Sequence, residues 1–422
     1  MKIKEKIYEF LRWLERYTGT DMVYLAKSGS WLISGSIVST LAGLGIMVAF
    51  DHLVSKEVFG IYQYILSIAG ILAIFSLPGI DAALIRTVAK GNEKMIIPCF
   101  KEKVKWGAIG GLISLFIAFW YLFQQNFELG FSFLIVALFL PLINSFLVYL
   151  SFWQGKKRFD IQNKYYIFYN IIVAFLLVLI IILTKNLILI ILCHFLALAL
   201  AGAIFYKLTI KKISNGEPRT TTSCIRSKEK ETISFGKHLT LMQTIATFST
   251  YIDKIILWKL LGPISVAVYA FAERPVLKFQ EIIPIHALAL PKLSQSNIKE
   301  IKKELLKKFL KLFLVAALAT LVYILLCPYL YKIFFPAYMD SIQYSQFLAL
   351  ILIFSPFLLL STSFLAEMRK KELYILNLTT PILKIVLLLI FIPLFGIWGI
   401  IYSVLISQTF NGILTLYFFK KI

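Results

Sequence analysis

The chain has 422 residues, 59% of them apolar or aromatic and only 16% charged, where soluble domains carry about 45–50% and about 25%. Its mean hydropathy is +0.82, and 44 Lys and Arg against 22 Asp and Glu give a formal charge of +22. These values exclude a soluble enzyme, a secreted disulfide scaffold and a disordered tail. They also exclude a nucleic-acid partner, because a basic patch needs a polar, soluble surface to carry it. An all-α polytopic membrane protein remains.

Along the chain, residues 1–25 mix charges with scattered apolar residues and show no cleavable signal peptide. Ile3, Ile7, Phe10, Leu14 and Tyr17 recur at helical spacing and predict an amphipathic helix on the inner leaflet. Twelve apolar runs of bilayer length follow, at 28–50, 59–80, 104–123, 129–152, 165–184, 187–207, 234–261, 265–290, 309–327, 342–366, 373–394 and 396–419. Gly216, Glu217, Pro218 and Thr220 to Ser223 form a polar linker near the middle. The expected division is an N-terminal segment 1–27, a six-helix bundle 28–208, a linker 209–233 and a second bundle 234–422. Asn297 and Glu300 resemble a capping box. It would open a second surface helix with Ile301, Leu305 and Phe309 on one face.

Alternate loops differ sharply in charge. One set, including both termini, holds 35 of the 44 basic residues, and the other holds only Lys56, Lys185, Lys259 and Lys332. Basic loops stay in the cytoplasm, so both termini are expected there. The remaining five bases, Lys237, Lys254, Arg274, Lys278 and Lys384, fall inside spans.

Shifting the chain by 207 residues lays 52–62 over 259–269, matching Tyr62 with Tyr269 at the outer turn after the first span of each half. Pro78 and Pro284 fall near the ends of the second spans at almost the same offset. Two six-span bundles in parallel orientation around a central cavity are the expected architecture, one used by transporters that rock between two open states.

These residues carry a resemblance. Thr20-Asp21-Met22-Val23-Tyr24-Leu25, Val54-Ser55-Lys56-Glu57-Val58-Phe59-Gly60-Ile61-Tyr62 and Pro78-Gly79-Ile80-Asp81-Ala82-Ala83-Leu84-Ile85-Arg86 resemble segments of bacterial polysaccharide flippases. In the second half, Tyr251-Ile252-Asp253-Lys254-Ile255-Ile256-Leu257 and the stretch from Leu260-Leu261-Gly262-Pro263 to Tyr269-Ala270 are similar to that family too. The family is the Wzx-type O-antigen and polysaccharide flippases, within the superfamily that also holds multidrug and lipid II exporters. Ser55 departs from its pattern, standing where the first-half turn usually has glycine. The resemblance implies export of an undecaprenyl-diphosphate-linked glycan from the cytoplasmic to the outer leaflet of the inner membrane. It also implies contact with membrane lipids, and polymerase and chain-length proteins as partners. No cofactor is expected, and a sodium or proton gradient is the candidate energy source.

Ionisable groups inside spans cost about 2.5–3.5 kcal/mol on insertion scales and mark functional sites. Thr240, Gln243, Thr247, Tyr251 and Lys254 line one face of the seventh span. On the eighth, Arg274, Lys278 and Glu281 do the same beside a kink expected at Pro275, and Asn377, Pro381 and Lys384 share a face of the eleventh. At about 1.5 Å per residue, Lys254 lies about 10 Å deep and Arg274 about 13 Å, with Lys384 near mid-membrane. Lys254, Arg274, Lys278 and Lys384 are the candidate substrate contacts, since a diphosphate in a low-dielectric passage needs counter-charges. The structural alternative pairs Asp253 with Arg274 and Glu281 with Lys278, and these two acids are also the candidates for ion coupling. Arg86 is read as an interfacial anchor, or as a first phosphate contact on the cytoplasmic side.

The four cysteines have no metal or disulfide spacing. His52, His194, His238 and His286 are isolated and carry no assigned role. No phosphate loop for ATP is present. A cation-coupled drug exporter would place a carboxylate within the first half, whereas Asp51 and Asp81 fall at span ends. A polysaccharide polymerase would need a large outer loop, and the longest outer segment, 328–341, holds one acid, Asp340. The chain is therefore expected not to be an enzyme.

Overall fold

Every expected span meets a helix in the computed structural model, which describes residues 22–214, 222–281, 293, 298–367 and 369–421. In chain order the helices are α1 (Met22–Leu53), α2 (Lys56–Leu72), α3 (Gly79–Ala89), α4 (Ile96–Phe123), α5 (Phe127–Phe146), α6 (Val148–Gly155) and α7 (Phe159–Leu183). Then come α8 (Leu187–Ser214), α9 (Thr222–Glu281), α10 (Ile298–Phe334), α11 (Ile342–Leu348), α12 (Phe357–Ala366), α13 (Lys370–Phe395) and α14 (Ile397–Lys420). Ten described helical stretches are long and apolar enough to cross a membrane, and a pair bent by 42° around Pro356 adds an eleventh. One of the ten is α9, which is two spans broken at Gly262 (φ 76°, ψ −177°). That brings the crossings to twelve and makes the chain an integral membrane protein. The N-terminal amphipathic helix, the centre of the linker, Pro284 and Asn297 lie outside the described residues.

Local sequence explains the breaks. No charged residue interrupts the stretch from Phe59 to Ile80, so one span is predicted there. Instead α2 ends at Leu72, a short 3-10 turn follows, and Leu77 takes a left-handed conformation (φ 53°) before α3 begins. Pro78 accounts for the end of the helix here, because a residue preceding proline is disfavoured in the right-handed helical region. Ser55 needs no glycine-like backbone. It is extended, and its hydroxyl accepts the Val58 N–H at 3.3 Å to cap α2. Gly262, at the matching turn, does take a positive φ, so the two halves make this turn differently.

Pro275 in α9 and Pro328 in α10 do not break their helices. Pro275 and Pro328 each leave the carbonyl four residues back without its helical donor. The Tyr331 hydroxyl donates to the freed Phe271 carbonyl at 2.8 Å, and the Gln346 amide to that of Ile324 at 2.9 Å. Helical dihedrals in α9 are lost at Gly262 and not at Pro275, so the helix continues through Pro275. Half of the expected outer segment 328–341 is likewise helix, as α10 runs to Phe334.

The surface helix expected after Asn297 is the start of α10 itself, which continues into the ninth span. Its face is not given to lipid. Leu305 and Phe309 are buried in a cluster with Leu360, Phe364, Leu376 and Phe419, against which Ile301 also packs.

The two halves meet along α2 and α9. α2 is buried on nearly every side, from Phe59 through Ile65, Gln63 included. At the end of α2 nearest the Gly262 turn a Cβ on Gly60 would fall 1.9 Å from the Pro263 carbonyl oxygen. Lys56 there pairs with Asp340 at 2.7 Å, Asp51 accepts the Ala337 N–H at 3.2 Å, and the Phe59 ring packs on Phe271 at 4.8 Å. Farther in, Gly70 lies against the Tyr251 ring, and the Gly79 N–H donates to Thr240 Oγ1 at 3.0 Å. The polar face expected on the seventh span therefore packs in part against the first half.

Candidate functional site

Gly262 folds α9 into a hairpin, and the arms before and after it carry most of the embedded charge. Asp253 is fully buried and Lys254 nearly so. Lys254 Nζ donates to Glu273 Oε2 at 2.6 Å and stands 3.8 Å from Asp253 Oδ1. Tyr269, one turn before Glu273, places its hydroxyl 3.0 Å from both Asp253 Oδ2 and Glu273 Oε1. Its one proton serves either carboxylate. Lys384 of α13 completes the group, 3.6 Å from Asp253 Oδ2 and donating to the Ser249 carbonyl at 2.8 Å. Two carboxylates thus face two ammonium groups across three spans, as buried charges must.

Arg274 stands apart from this balanced set. The pairing of Asp253 with Arg274 expected from the sequence is not formed; Asp253 faces the two lysines and Tyr269. The guanidinium reaches instead across the junction of the halves, donating to Gln63 Oε1 on α2 at 2.8 Å. Gln63 is 1% exposed, and its Nε2 meets no hydrogen-bond partner among the described residues. An unsatisfied buried donor costs about 1–3 kcal/mol. Beside it the Tyr62 hydroxyl lies 2.8 Å from His194 Nδ1 on α8, so this histidine is not isolated.

The other expected contacts are distributed. Lys278 is half-buried one turn beyond Arg274, and a Cβ on Gly43 of α1 would lie 3.5 Å from its Cε. The side chain of Glu281, and with it the expected pair to Lys278, lies outside the described residues. Arg86 stacks 5.3 Å over the Phe235 ring and lines a cavity of about 260 Å³ with Thr87, Lys90, Glu231 and Thr232. Lys237 pairs with Glu102 of α4 at 2.8 Å. Lys103, counted from sequence among the cytoplasmic loop bases, is 2% exposed inside α4 and pairs with Asp81 at 2.7 Å. α4 begins eight residues before the expected span, and its extra turns carry Lys103 inward.

Sequence reasoning missed Gln63, Tyr62, Tyr269 and His194. The signal for two of them was present, since the 207-residue shift matches Tyr62 with Tyr269, and each now anchors a polar contact in its own half.

Asp253→Ala would leave two buried ammonium groups facing one carboxylate. Removing one partner of a buried pair costs about 3–5 kcal/mol, so a marked fall in the melting temperature of the purified protein is expected. A melting temperature equal to that of the unsubstituted protein would show that Asp253 does not hold this cluster together.

The family profile described as "Polysaccharide biosynthesis protein" matches residues 25–296. Among solved structures, the lipid II flippase MurJ in an inward closed conformation superposes with a TM-score of 0.70 at 15% identity, covering 92% of this chain and 87% of that one. A MATE transporter in complex with MaD5 gives 0.66 at 14% identity over 94% and 95%. A MOP superfamily transporter from Pyrococcus furiosus, whose binding pocket is described as having reversed polarity, gives 0.59 at 14% identity over the same shares. No protein of curated function matches the sequence. The fold is that of the MOP superfamily transporters.

Proposed function

The chain belongs to the polysaccharide biosynthesis protein family, and on that premise we propose that it flips an undecaprenyl-diphosphate-linked oligosaccharide across the bacterial inner membrane. The load moves from the cytoplasmic to the outer leaflet by alternating access, for cell-surface polysaccharide such as O-antigen. The observation that carries this reading is Arg274. The nearby lysines are balanced by Asp253 and Glu273, whereas the Arg274 guanidinium has a neutral partner at the junction of the halves. A guanidinium held by an uncharged amide keeps its charge and its paired donors for phosphate oxygens. Lys254 and Lys384 can join once the load displaces their carboxylates, Lys278 lies one turn along the same face, and Arg86 offers a contact on the cytoplasmic side. Asp253 and Glu281 are the acids through which an ion gradient would act.

Two bundles, 28–208 and 234–422, with both termini cytoplasmic, fit the loop charges. A polymerase and chain-length machinery would act on the flipped product. The competing reading, a cation-coupled drug exporter, is supported by the likeness of fold to MATE transporters, and fold alone does not choose a substrate.

Deleting the gene should remove surface polysaccharide and cause a diphosphate-linked oligosaccharide to accumulate in extracted lipid. Unchanged surface polysaccharide, with no accumulated lipid-linked sugar, would sink the flippase reading and leave the drug exporter.

A further inference from the structure

We infer that Gln63 of the first half is itself a contact for the load, its side-chain amide donating to a phosphate oxygen held at the same time by Arg274. The inference rests on the flippase reading and adds to it a donor that no charge-based search would find.

The amide's orientation is set by its neighbour. Arg274 has donors and no acceptor, so the Gln63 oxygen must face it, and the two are 2.8 Å apart. The nitrogen of the same amide then has to point elsewhere, and it meets no partner among the described residues although Gln63 is 1% exposed. Turning the amide over would satisfy neither group, because two donors would then face each other. A buried donor left open is a high-energy arrangement, and it lies two bonds from an oxygen that touches a guanidinium. Anything that fills it lies within reach of that cation, which selects an anionic oxygen over a neutral one. The two donors come from opposite halves, Gln63 from α2 and Arg274 from the second arm of α9. A phosphate oxygen bound by both bridges the surfaces that move against each other in alternating access.

The position in the repeat agrees. Gln63 follows Tyr62, and under the 207-residue shift its counterpart is Ala270, which has no donor. The second half supplies the cation and the first half the neutral donor.

The test uses the full chain in lipid nanodiscs with undecaprenyl diphosphate as the probe. A hydrogen bond to a charged group corresponds to about tenfold to a hundredfold in affinity, and Gln63→Met should weaken binding by that factor. With glutamine side chains labelled with ¹⁵N, the Gln63 amide resonance, assigned by its loss in Gln63→Met, should move downfield as the probe saturates the protein. If Gln63→Met is not recovered folded, Gln63→Glu provides the assignment and the resonance decides. Binding by Gln63→Met equal to wild type overturns the inference. So does weakened binding with an unmoved resonance, which would make Gln63 only a support for Arg274. In both cases Arg274→Gln still loses affinity and the flippase reading stands. A wild-type protein that does not bind undecaprenyl diphosphate overturns both.

Discussion

Arg274→Glu is expected to abolish surface polysaccharide while the protein stays in the membrane at wild-type abundance. The substitution changes the charge near a phosphate by two units, enough to turn a counter-charge into a repulsion in a low-dielectric site. It need not disturb folding. The Gln63 amide that now accepts from Arg274 at 2.8 Å can turn over and donate to the new carboxylate, using the nitrogen that is open at present. Lys254→Glu is the instructive contrast. Lys254 lies 2.6 Å from Glu273 and 3.8 Å from Asp253, so the change would gather three carboxylates around Tyr269. That variant should lose abundance as well as polysaccharide, and so report on stability rather than on the load. Immunoblots of membrane fractions beside a surface-glycan assay separate the two. Wild-type polysaccharide with Arg274→Glu would remove Arg274 from the site.

The contrast also shows what spacing could and could not reveal. Lys254 and Glu273, like Asp253 and Arg274, share one midpoint in sequence, between Pro263 and Ile264 just after the break at Gly262. Either pair could close the hairpin. Neighbouring residues on a helix point about 100° apart, so the rotation of the two arms decides, and that rotation is fixed by packing against α2 and α13. The twelve spans were legible because bilayer-length apolar runs are a local property. The break at Leu77 was hidden by apolar residues on both sides, although Pro78 marked its place. Lys103 reads as a loop base in sequence, because its counter-ion, Asp81, sits on a different helix. Gln63 is a neutral amide, which embedded charge does not mark. Its importance appears only when α2 is laid against α9.

Gly60→Val should be as damaging as Arg274→Glu, by a different route. The glycine lies in the Phe59-Gly60-Ile61-Tyr62 stretch that carries the family resemblance, and the structure gives the reason for it. A Cβ at this position would fall 1.9 Å from the Pro263 carbonyl oxygen and 2.5 Å from its carbon. Both are backbone atoms of the hairpin turn and cannot step aside as a side chain would. The same end of the helices holds the Lys56–Asp340 pair, the Asp51 contact with the Ala337 N–H and the Phe59–Phe271 packing. Holding the backbones apart therefore loosens all of them together. On the alternating-access reading, a protein that must close this side once per cycle would be kept from closing it. Surface polysaccharide should be lost, and a cysteine placed by Asp340→Cys should react faster with a membrane-impermeant thiol reagent in Gly60→Val than in its parent. Gly45→Val is the control, since a Cβ there meets nothing within 4 Å and transport should continue. Unchanged labelling and normal polysaccharide in Gly60→Val would mean that this contact is incidental to the cycle. Faster labelling with normal polysaccharide would mean that the seam opens without limiting transport. Only the joint change, absent from the Gly45 control, ties the close approach of Gly60 and Pro263 to the movement of the load.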